Sequence, residues 1–244
     1  MNVTFDYDKL ATAYAAHRTP YGGLLGALIR RAHEKDAVLE LGCGSANHLL
    51  RIAEATSARC VGLDSSVGML GQARARGGER IELVHSDATA TSLPPASFGL
   101  IYSVDVIHHV REVHAYFAEV ARLLQPGGLV CTVTDSEEMI RSREALSGYF
   151  PGTVPFELGR YHAFPVLREA EQSAGLTPTA TEQYSEPWQI TDTQLFQDKA
   201  YSCLHGITEA EHRRGVEAMK EALRRGPIEG RRRSCALWAV KPNE

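Results

Sequence analysis

Short apolar runs alternate with segments of helical periodicity along the first half of the chain. Each run has the length of a buried strand, and a turn and apolar residues at helical spacing follow it. The runs cover residues 38–41, 59–64, 81–85, 98–104 and 129–134. This alternation predicts an α/β fold with a parallel sheet, helices on both faces and right-handed crossovers.

The pattern is looser elsewhere. A sixth strand is predicted at 177–182, and the apolar run 234–240 closes the chain as a seventh. A loop rich in proline, glycine and aromatic residues is predicted between 149 and 164. Helices are predicted over 6–17, 21–33, 137–147, 166–174, 191–204 and 208–225.

The first strand leads into a glycine turn and then a helix. Gly42 and Gly44 allow positive φ and let a ligand approach the backbone closely. The helix starts at Ser45 or Ala46, so its free N–H groups lie beside the turn. The stretch therefore predicts a site for a polar group of a cofactor.

Polar residues occur at or just beyond the ends of the later strands. They are Asp64, Asp87, Ser103 and Asp105. In a parallel sheet these ends share one edge, where ligands bind near the reversal of strand order. We expect these residues to lie near the glycine turn.

Composition excludes several classes of function. The 244 residues carry a formal charge of -4, with no apolar run of membrane-spanning length and no signal peptide, which predicts a cytoplasmic protein. The five cysteines are scattered without a CxxC pair, so we expect buried free thiols and no zinc site. The basic run 231–233 is interpreted as solvated charge, not as a nucleic-acid site.

A glycine turn followed by an acid about twenty residues later also fits the dinucleotide fingerprint. An NAD-dependent oxidoreductase is therefore an alternative. That fingerprint would place a glycine at Asn47, which disfavours a pyrophosphate ligand.

Four further motifs point elsewhere. Residues 40–46 read ELGCGSA, residues 87–88 read DA after the third strand, residues 105–110 read DVIHHV, and residues 123–128 read LLQPGG. In this order the set resembles the class I S-adenosylmethionine-dependent methyltransferases, most closely their small-molecule, type 11 branch. The resemblance covers residues 36–135.

The resemblance implies a Rossmann-like, doubly wound sheet of seven mostly parallel strands, with helices on both faces and the last strand antiparallel. It also implies a helical lid over residues 1–35 and a methyltransferase domain over 36–244. Segments at about 136–165 and 185–230 would cover the methyl acceptor. As a group, the aromatic side chains of these segments are expected to line a pocket: Tyr149, Phe150, Tyr161, His162 and Trp188.

The same resemblance assigns roles in binding S-adenosylmethionine. At the methionyl end, Gly42 and Gly44 would approach the ligand, Ser103 would lie nearby, and Glu40 would hold the turn or the cofactor's amino group. Asp64 would accept from the ribose hydroxyls, and Tyr14 would close from the lid. Ser65 and Met69 would border the adenine, with Asp87 and the Ala88 amide at its amino group. The family often has a third glycine where this chain has Ala46.

His108 and His109 follow the fourth strand, where such enzymes face their acceptor. A histidine near its ordinary pKa could take a proton from the acceptor as the methyl group transfers. The alternative is that both rings cap the next helix or pack beneath the cofactor, since the type 11 branch often carries two histidines here whatever its substrate.

The predicted function is methyl transfer from S-adenosylmethionine to a small molecule, with S-adenosylhomocysteine as product and no metal. We expect no nucleic-acid or membrane partner, and a monomer or homodimer. Besides the oxidoreductase, a fold that uses bound S-adenosylmethionine for a non-methylating reaction and a regulatory subunit are alternatives.

Overall fold

The computed structural model describes residue 8, residue 20 and residues 22–243. The strands are β1 (Ala37–Leu41), β2 (Arg59–Asp64), β3 (Glu82–His85), β4 (Phe98–Val104), β5 (Leu124–Thr134), β6 (Thr177–Ile190) and β7 (Ile228–Val240). The helices are α1 (Gly22–Ala32), α2 (Asn47–Ala55), α3 (Val67–Ala75), α4 (Val113–Leu123), α5 (Glu137–Arg141), α6 (Leu146–Tyr149), α7 (Thr153–Leu158), α8 (Phe164–Ser173), α9 (Gln194–Gln197) and α10 (Glu209–Leu223). Short 3-10 turns lie at Gly78–Arg80, Ile107–His109 and Ser202–Gly206.

The strands form one seven-stranded sheet in the order β3-β2-β1-β4-β5-β7-β6. The pairs among β1 to β5 are parallel, whereas β7 runs antiparallel to both β5 and β6. The predicted fold class is confirmed, including the antiparallel last strand. The strand order reverses between β1 and β4, and this is where a doubly wound sheet binds its ligand.

Successive side chains of a strand point to opposite faces of the sheet, and each face is buried in its own apolar cluster. On one face Leu39 and Leu41 pack into a cluster with Phe117 of α4. On the other face Val38 packs into a cluster with Leu28 of α1. Burial on two sides explains why the central strands read as continuous apolar runs.

Helix α1, part of the predicted lid over residues 1–35, packs on the sheet. Its Leu24 and Leu28 are fully buried. Its Arg31 donates to Glu182 of β6 at 2.7 Å and lies 3.8 Å from the ring centre of Trp238. The predicted helix over 6–17 lies outside the described residues except for Asp8, and the division into lid and domain stays a prediction.

All five cysteines are buried, as expected, and none of them forms a disulfide bond with another. Within the described part of the chain, none of the helices combines the length and the apolar character needed to span a bilayer.

The second half departs from the predicted elements. The predicted loop at 149–164 contains α7, and the predicted helix at 191–204 reduces to α9 and a 3-10 turn. Strand β6 extends to Ile190 and β7 begins at Ile228, because these extensions pair with each other from Glu182↔Ala236 to Ile190↔Ile228. Their sequences are largely polar, so the hydrophobic pattern does not reveal this pairing.

Candidate functional site

The predicted glycine turn connects β1 to α2 at the reversal of strand order. Gly42 has φ 67°, Gly44 has φ 54° and Ala46, just before the helix, has φ 57°. The Cys43 N–H donates to the Leu63 carbonyl at 2.9 Å and ties the turn to β2. Ala46 adopts a left-handed conformation that glycine takes without steric cost, which explains why a glycine suits this position.

Gly42 lies directly against the loop that follows β4. A Cβ atom at Gly42 would lie 2.5 Å from Val106 Cγ2 and 2.8 Å from Val106 Cγ1. The turn is therefore packed against the segment that leads into the two histidines.

Gly42→Ala is expected to destabilise the fold more than the same change at Gly175. Gly175 has φ 79° but open space around its Cβ position, so its substitution adds only backbone strain. The clash with Val106 adds a further ~1–3 kcal/mol at Gly42. Thermal and urea unfolding of both variants measure the difference.

A second substitution isolates the clash. Val106→Ala removes both clashing methyl groups, so the double variant Gly42→Ala/Val106→Ala should recover part of the stability lost by Gly42→Ala. Equal losses at Gly42 and Gly175, or no recovery, would contradict this packing.

Asp64 is at the end of β2 and faces the turn, as predicted. Its Oδ2 accepts from the Gly44 N–H at 2.7 Å, and its Oδ1 accepts from the Ser66 N–H at 2.9 Å. Burial raises the pKa of Asp64, although the amides of Ser66 and Gly44 act in the opposite direction. The Ser65 amide also hydrogen-bonds to this carboxylate, so of its roughly four acceptor positions about one is left for a ligand hydroxyl.

Asp8, a described residue of the predicted lid, contacts the start of α3 beside Asp64. Its Oδ1 accepts from Ser66 Oγ at 2.6 Å and from the Gly68 N–H at 2.8 Å. These hydrogen bonds lower the pKa of Asp8. Tyr14 lies outside the described residues.

Glu40 is buried beneath the turn, with 3% of its surface exposed. His48 Nδ1 lies 3.9 Å from Glu40 Oε1, while Ser45 Oγ has no hydrogen-bond partner in the described part of the chain. Burial raises the pKa of Glu40 to about 8, although hydrogen bonds from Tyr102 and the Leu49 amide oppose this shift. Ser45 Oγ is thus a buried polar atom beside the turn that a ligand could satisfy.

Glu40→Gln should change how stability depends on pH. Because the folded pKa of about 8 exceeds the ordinary value of 4.5, wild-type stability falls as pH rises from about 4.5 to 8. The variant has no titrating group at this position, so its free energy of unfolding should rise relative to that of wild type as pH increases from about 4.5 to 8. Urea unfolding at several pH values, with exposed Glu54→Gln as control, measures the gain; a difference that does not change with pH would contradict it.

The residues predicted to contact the adenine differ in their exposure to solvent. Ser65 and Asp87 are exposed and Ala88 is half-buried, whereas Met69 is 2% exposed. Asp87 Oδ1 accepts from both the amide and the hydroxyl of Thr89, at 2.7 and 2.6 Å. Asp87 therefore stabilises its own loop through one oxygen.

Ser103 is fully buried within β4. Its Oγ accepts from the Tyr116 hydroxyl of α4 at 3.0 Å. The side chain faces the core beneath α4, so any contact of this residue with a ligand would be made by its backbone.

His108 and His109 form the 3-10 turn after β4. The buried His108 ring stacks on Tyr161, with centroids 4.2 Å apart and planes at 10°. Part of the His109 surface is exposed. Desolvation by the surrounding protein and, second, the positive charge of Arg160 lower the pKa of His109 to about 3. A ring with so low a pKa is neutral at pH 7 and a weak base.

A cavity lies beyond the ends of β4 and β5. Its wall begins at Asp105 and Asp135, which follow these two strands directly. The other lining side chains used below are His108, His109, Arg143, Glu144, Glu157, Arg160, Tyr161, Trp188, Tyr201, Glu229, Arg231, Arg232 and Arg233.

The predicted aromatic cover contributes only in part to this cavity. Tyr161 and Trp188 line it, as expected. Phe150 is buried in the apolar cluster of the cover, Tyr149 packs against that cluster, and His162 contacts the Val110 carbonyl at 2.8 Å. The arginines of 231–233 lie within β7 and also line the cavity, where Arg231 is exposed and Arg232 and Arg233 are half-buried.

The floor of the cavity is a buried ion-pair network absent from the sequence predictions. Arg143 donates to Asp135 at 2.6 Å and to Glu157 at 2.7 Å, and its Nη2 lies 3.2 Å from the Tyr161 hydroxyl. Arg160 pairs with the second oxygen of Glu157. Burial raises the pKa of Asp135 to about 6, although Arg143 opposes this. In the described part of the chain, no group of three or more candidate ligands could hold a metal ion.

Residues 39–132 match a family model described as a methyltransferase domain, of type 11. This range runs from β1 into β5 and contains the glycine turn, Asp64, Asp87 and both histidines.

Among curated proteins, the chain is 27% identical over 218 residues to 27-O-demethylrifamycin SV methyltransferase of Amycolatopsis mediterranei, covering 84% of this chain and 77% of that protein. It is 30% identical over 125 residues to demethylmenaquinone methyltransferase of Anoxybacillus flavithermus, covering 48% and 53%. The chain covers only 19–56% of the length of seven of the matched relatives.

Among solved structures, the fold is similar to phosphoethanolamine N-methyltransferase 2 of Haemonchus contortus in complex with phosphomonomethylethanolamine and S-adenosylhomocysteine. The TM-score is 0.59 at 21% identity, over 96% of this chain and 57% of that one. At this identity the similarity supports the fold alone.

Proposed function

The chain carries a methyltransferase domain of the class I, S-adenosylmethionine-dependent family, and from this premise we propose that it methylates a small-molecule acceptor. The family predicted from the ordered motifs is confirmed, and it disfavours the oxidoreductase alternative. The acceptor, its reacting atom and the binding residues are proposals.

The residues around the turn fit S-adenosylmethionine. Asp64 accepts from three backbone amides and keeps acceptor capacity that suits a ribose hydroxyl. Ser45 Oγ, buried and without a hydrogen-bond partner in the described residues, suits the polar amino-acid end of the ligand. Gly44 has no side chain to block a ligand from the backbone, and Gly42 lets the turn pack against Val106.

One observation supports the acceptor proposal most strongly. The segment 105–109 is a wall shared by the turn and the cavity, since Val106 packs on Gly42 while Asp105, His108 and His109 line the cavity. An acceptor in the cavity would therefore lie next to a ligand on the turn.

When bound, S-adenosylmethionine supplies an activated methyl group on a sulfonium leaving group. The protein's part is then mostly positioning and exclusion of water. We propose that Asp64 holds the nucleoside and that the β6–β7 extension and the cover hold the acceptor. His108, stacked on Tyr161, would orient it, and His109 would be at most a weak base.

We propose the segments at about 136–165 and 185–230 as this cover, and residues 1–35 as the lid. Both cover segments contribute cavity residues, among them Arg143, Tyr161, Trp188 and Tyr201. The contact of Asp8 with Ser66 beside Asp64 supports a lid over the nucleoside.

Label transfer tests the proposed function. The protein is incubated with methyl-labelled S-adenosylmethionine and, separately, the small-molecule, protein and RNA fractions of a cell extract. Label in the small-molecule fraction, with an equal amount of S-adenosylhomocysteine, is expected. Label in protein or RNA would refute the acceptor class. Tight cofactor binding without transfer to any fraction would favour the non-methylating alternative.

A further inference from the structure

Strand β7 reaches the cavity because it continues beyond the strand beside it. Its last pair with β5 is Cys235 with Thr134, and the segment 228–234 pairs with β6 alone. Residues 231–233 therefore lie where β5 has ended and the cavity begins. Arg231 and Arg233 are two positions apart and share one face of the strand, so their Cα atoms are about 7 Å apart.

The cavity floor is already balanced in charge. Arg143 lies within 2.7 Å of both Asp135 and Glu157, and Arg160 pairs with Glu157. Such close pairs leave little charge for a ligand. Among the described residues, the charges of the floor are already paired with one another.

The two arginines of β7 are less neutralised. Arg231 donates to Ser185, through Nε to Oγ at 2.7 Å and through Nη2 to the carbonyl at 3.2 Å. Arg233 donates to the Ser142 carbonyl at 2.6 Å, and its nearest carboxylate, Glu144, is 3.9 Å away. That distance exceeds the range of an N–H···O hydrogen bond.

The other charged side chains near Arg231 and Arg233 do not neutralise these two arginines. Arg232 is on the other side of the strand, 4.0 Å from Glu186. The Glu229 carboxylate accepts from the Gln189 amide at 2.8 Å, and Glu229 and Glu144 are both exposed to water. Each guanidinium carries five N–H donors, so Arg231 and Arg233 keep donors for a further acceptor.

We propose that Arg231 and Arg233 bind an oxyanion, a carboxylate or a phosphate, carried by the methyl acceptor. The planar guanidinium fork matches carboxylate and phosphate oxygens. This inference rests on the proposed function, since it names the class of acceptor for the same cavity.

The test uses the full chain saturated with S-adenosylhomocysteine and three probes of similar shape: benzoate, phenyl phosphate and neutral benzamide. Calorimetry at low salt should give at least ~10-fold tighter binding of one anionic probe than of benzamide. The preferred anion distinguishes a carboxylate-bearing from a phosphate-bearing acceptor. No anion preference in wild type would overturn the proposal.

Two double variants locate the preference. Arg231→Gln/Arg233→Gln should abolish it, whereas Arg224→Gln/Arg225→Gln, at the exposed end of α10, should keep it. Arg231→Lys, which keeps charge but loses the planar fork, should fall between. A preference that survives in the first variant would refute the assignment.

The same samples separate this proposal from the proposed function. Affinity for S-adenosylhomocysteine and the unfolding temperature are measured for every variant. Unchanged cofactor binding with lost anion preference supports the role of the two arginines. Cofactor binding without any anion preference refutes this proposal alone, and failure of wild type to bind the cofactor refutes the proposed function.

Discussion

Arg143→Met is expected to lower the free energy of unfolding by ~3–5 kcal/mol at pH 8, because it removes one partner of a buried ion-pair network. Its guanidinium contacts Asp135 and Glu157, whose side chains are 10% and 2% exposed. Methionine approximates the length of the side chain but leaves Asp135 buried without its cation. Urea unfolding followed by circular dichroism measures the loss.

Arg141→Met provides the matched control on the adjoining helix. Arg141 pairs with Glu137 four residues away, and both side chains are more than half exposed. Exposed pairs of this kind contribute ~0.3–0.5 kcal/mol. The cost of Arg143→Met should also shrink as pH falls from 8 toward about 6, because the loss of Arg143 raises the pKa of Asp135 above its wild-type value of about 6 and a protonated Asp135 no longer needs a cation. Equal losses in the two variants, or a loss that does not change with pH, would contradict the network.

Asp64→Ala is expected to weaken binding of S-adenosylhomocysteine by ~10–100-fold. A hydrogen bond from a ribose hydroxyl to the carboxylate would be lost, contributing ~1.5–3 kcal/mol. The variant also leaves the Gly44 and Ser66 amides without their acceptor. Calorimetric titration and thermal unfolding of the same sample separate the loss of affinity from the loss of stability.

Two further variants sharpen this experiment. Asp64→Asn keeps the volume but replaces one acceptor by a donor, so we expect an intermediate loss of affinity. Glu217→Ala removes an exposed carboxylate on α10 that pairs with Lys220, and it should bind as wild type does. A lower unfolding temperature with affinity within threefold of wild type would mean that Asp64 only stabilises the turn.

The sheet and the turn were predictable because one requirement produces both their pattern and their position. Central strands covered on both faces must be apolar throughout, so β1, β2 and β4 stand out in the sequence. A turn with positive φ favours glycine, so Gly42 and Gly44 mark the ligand side of the sheet. Asp64 follows because the end of β2 is brought beside that turn.

The cavity was less readable, since its residues depend on pairing that leaves no hydrophobic pattern. Arg231 and Arg233 line it only because β7 extends past β5 against a polar partner strand. Arg143, Glu157 and Arg160 meet through tertiary contacts between short elements. Asp135 was the exception, because it follows β5 as Asp105 follows β4, and the same rule of strand ends could have identified it.

The proposed function requires that the protein binds S-adenosylmethionine and its product S-adenosylhomocysteine. Titration of the wild-type protein with S-adenosylhomocysteine in a calorimeter, beside an identical titration with NADH, tests it most directly. The account predicts saturable binding of S-adenosylhomocysteine at one site in the micromolar range and no binding of NADH. Binding of NADH, or the absence of any heat with S-adenosylhomocysteine, would contradict it.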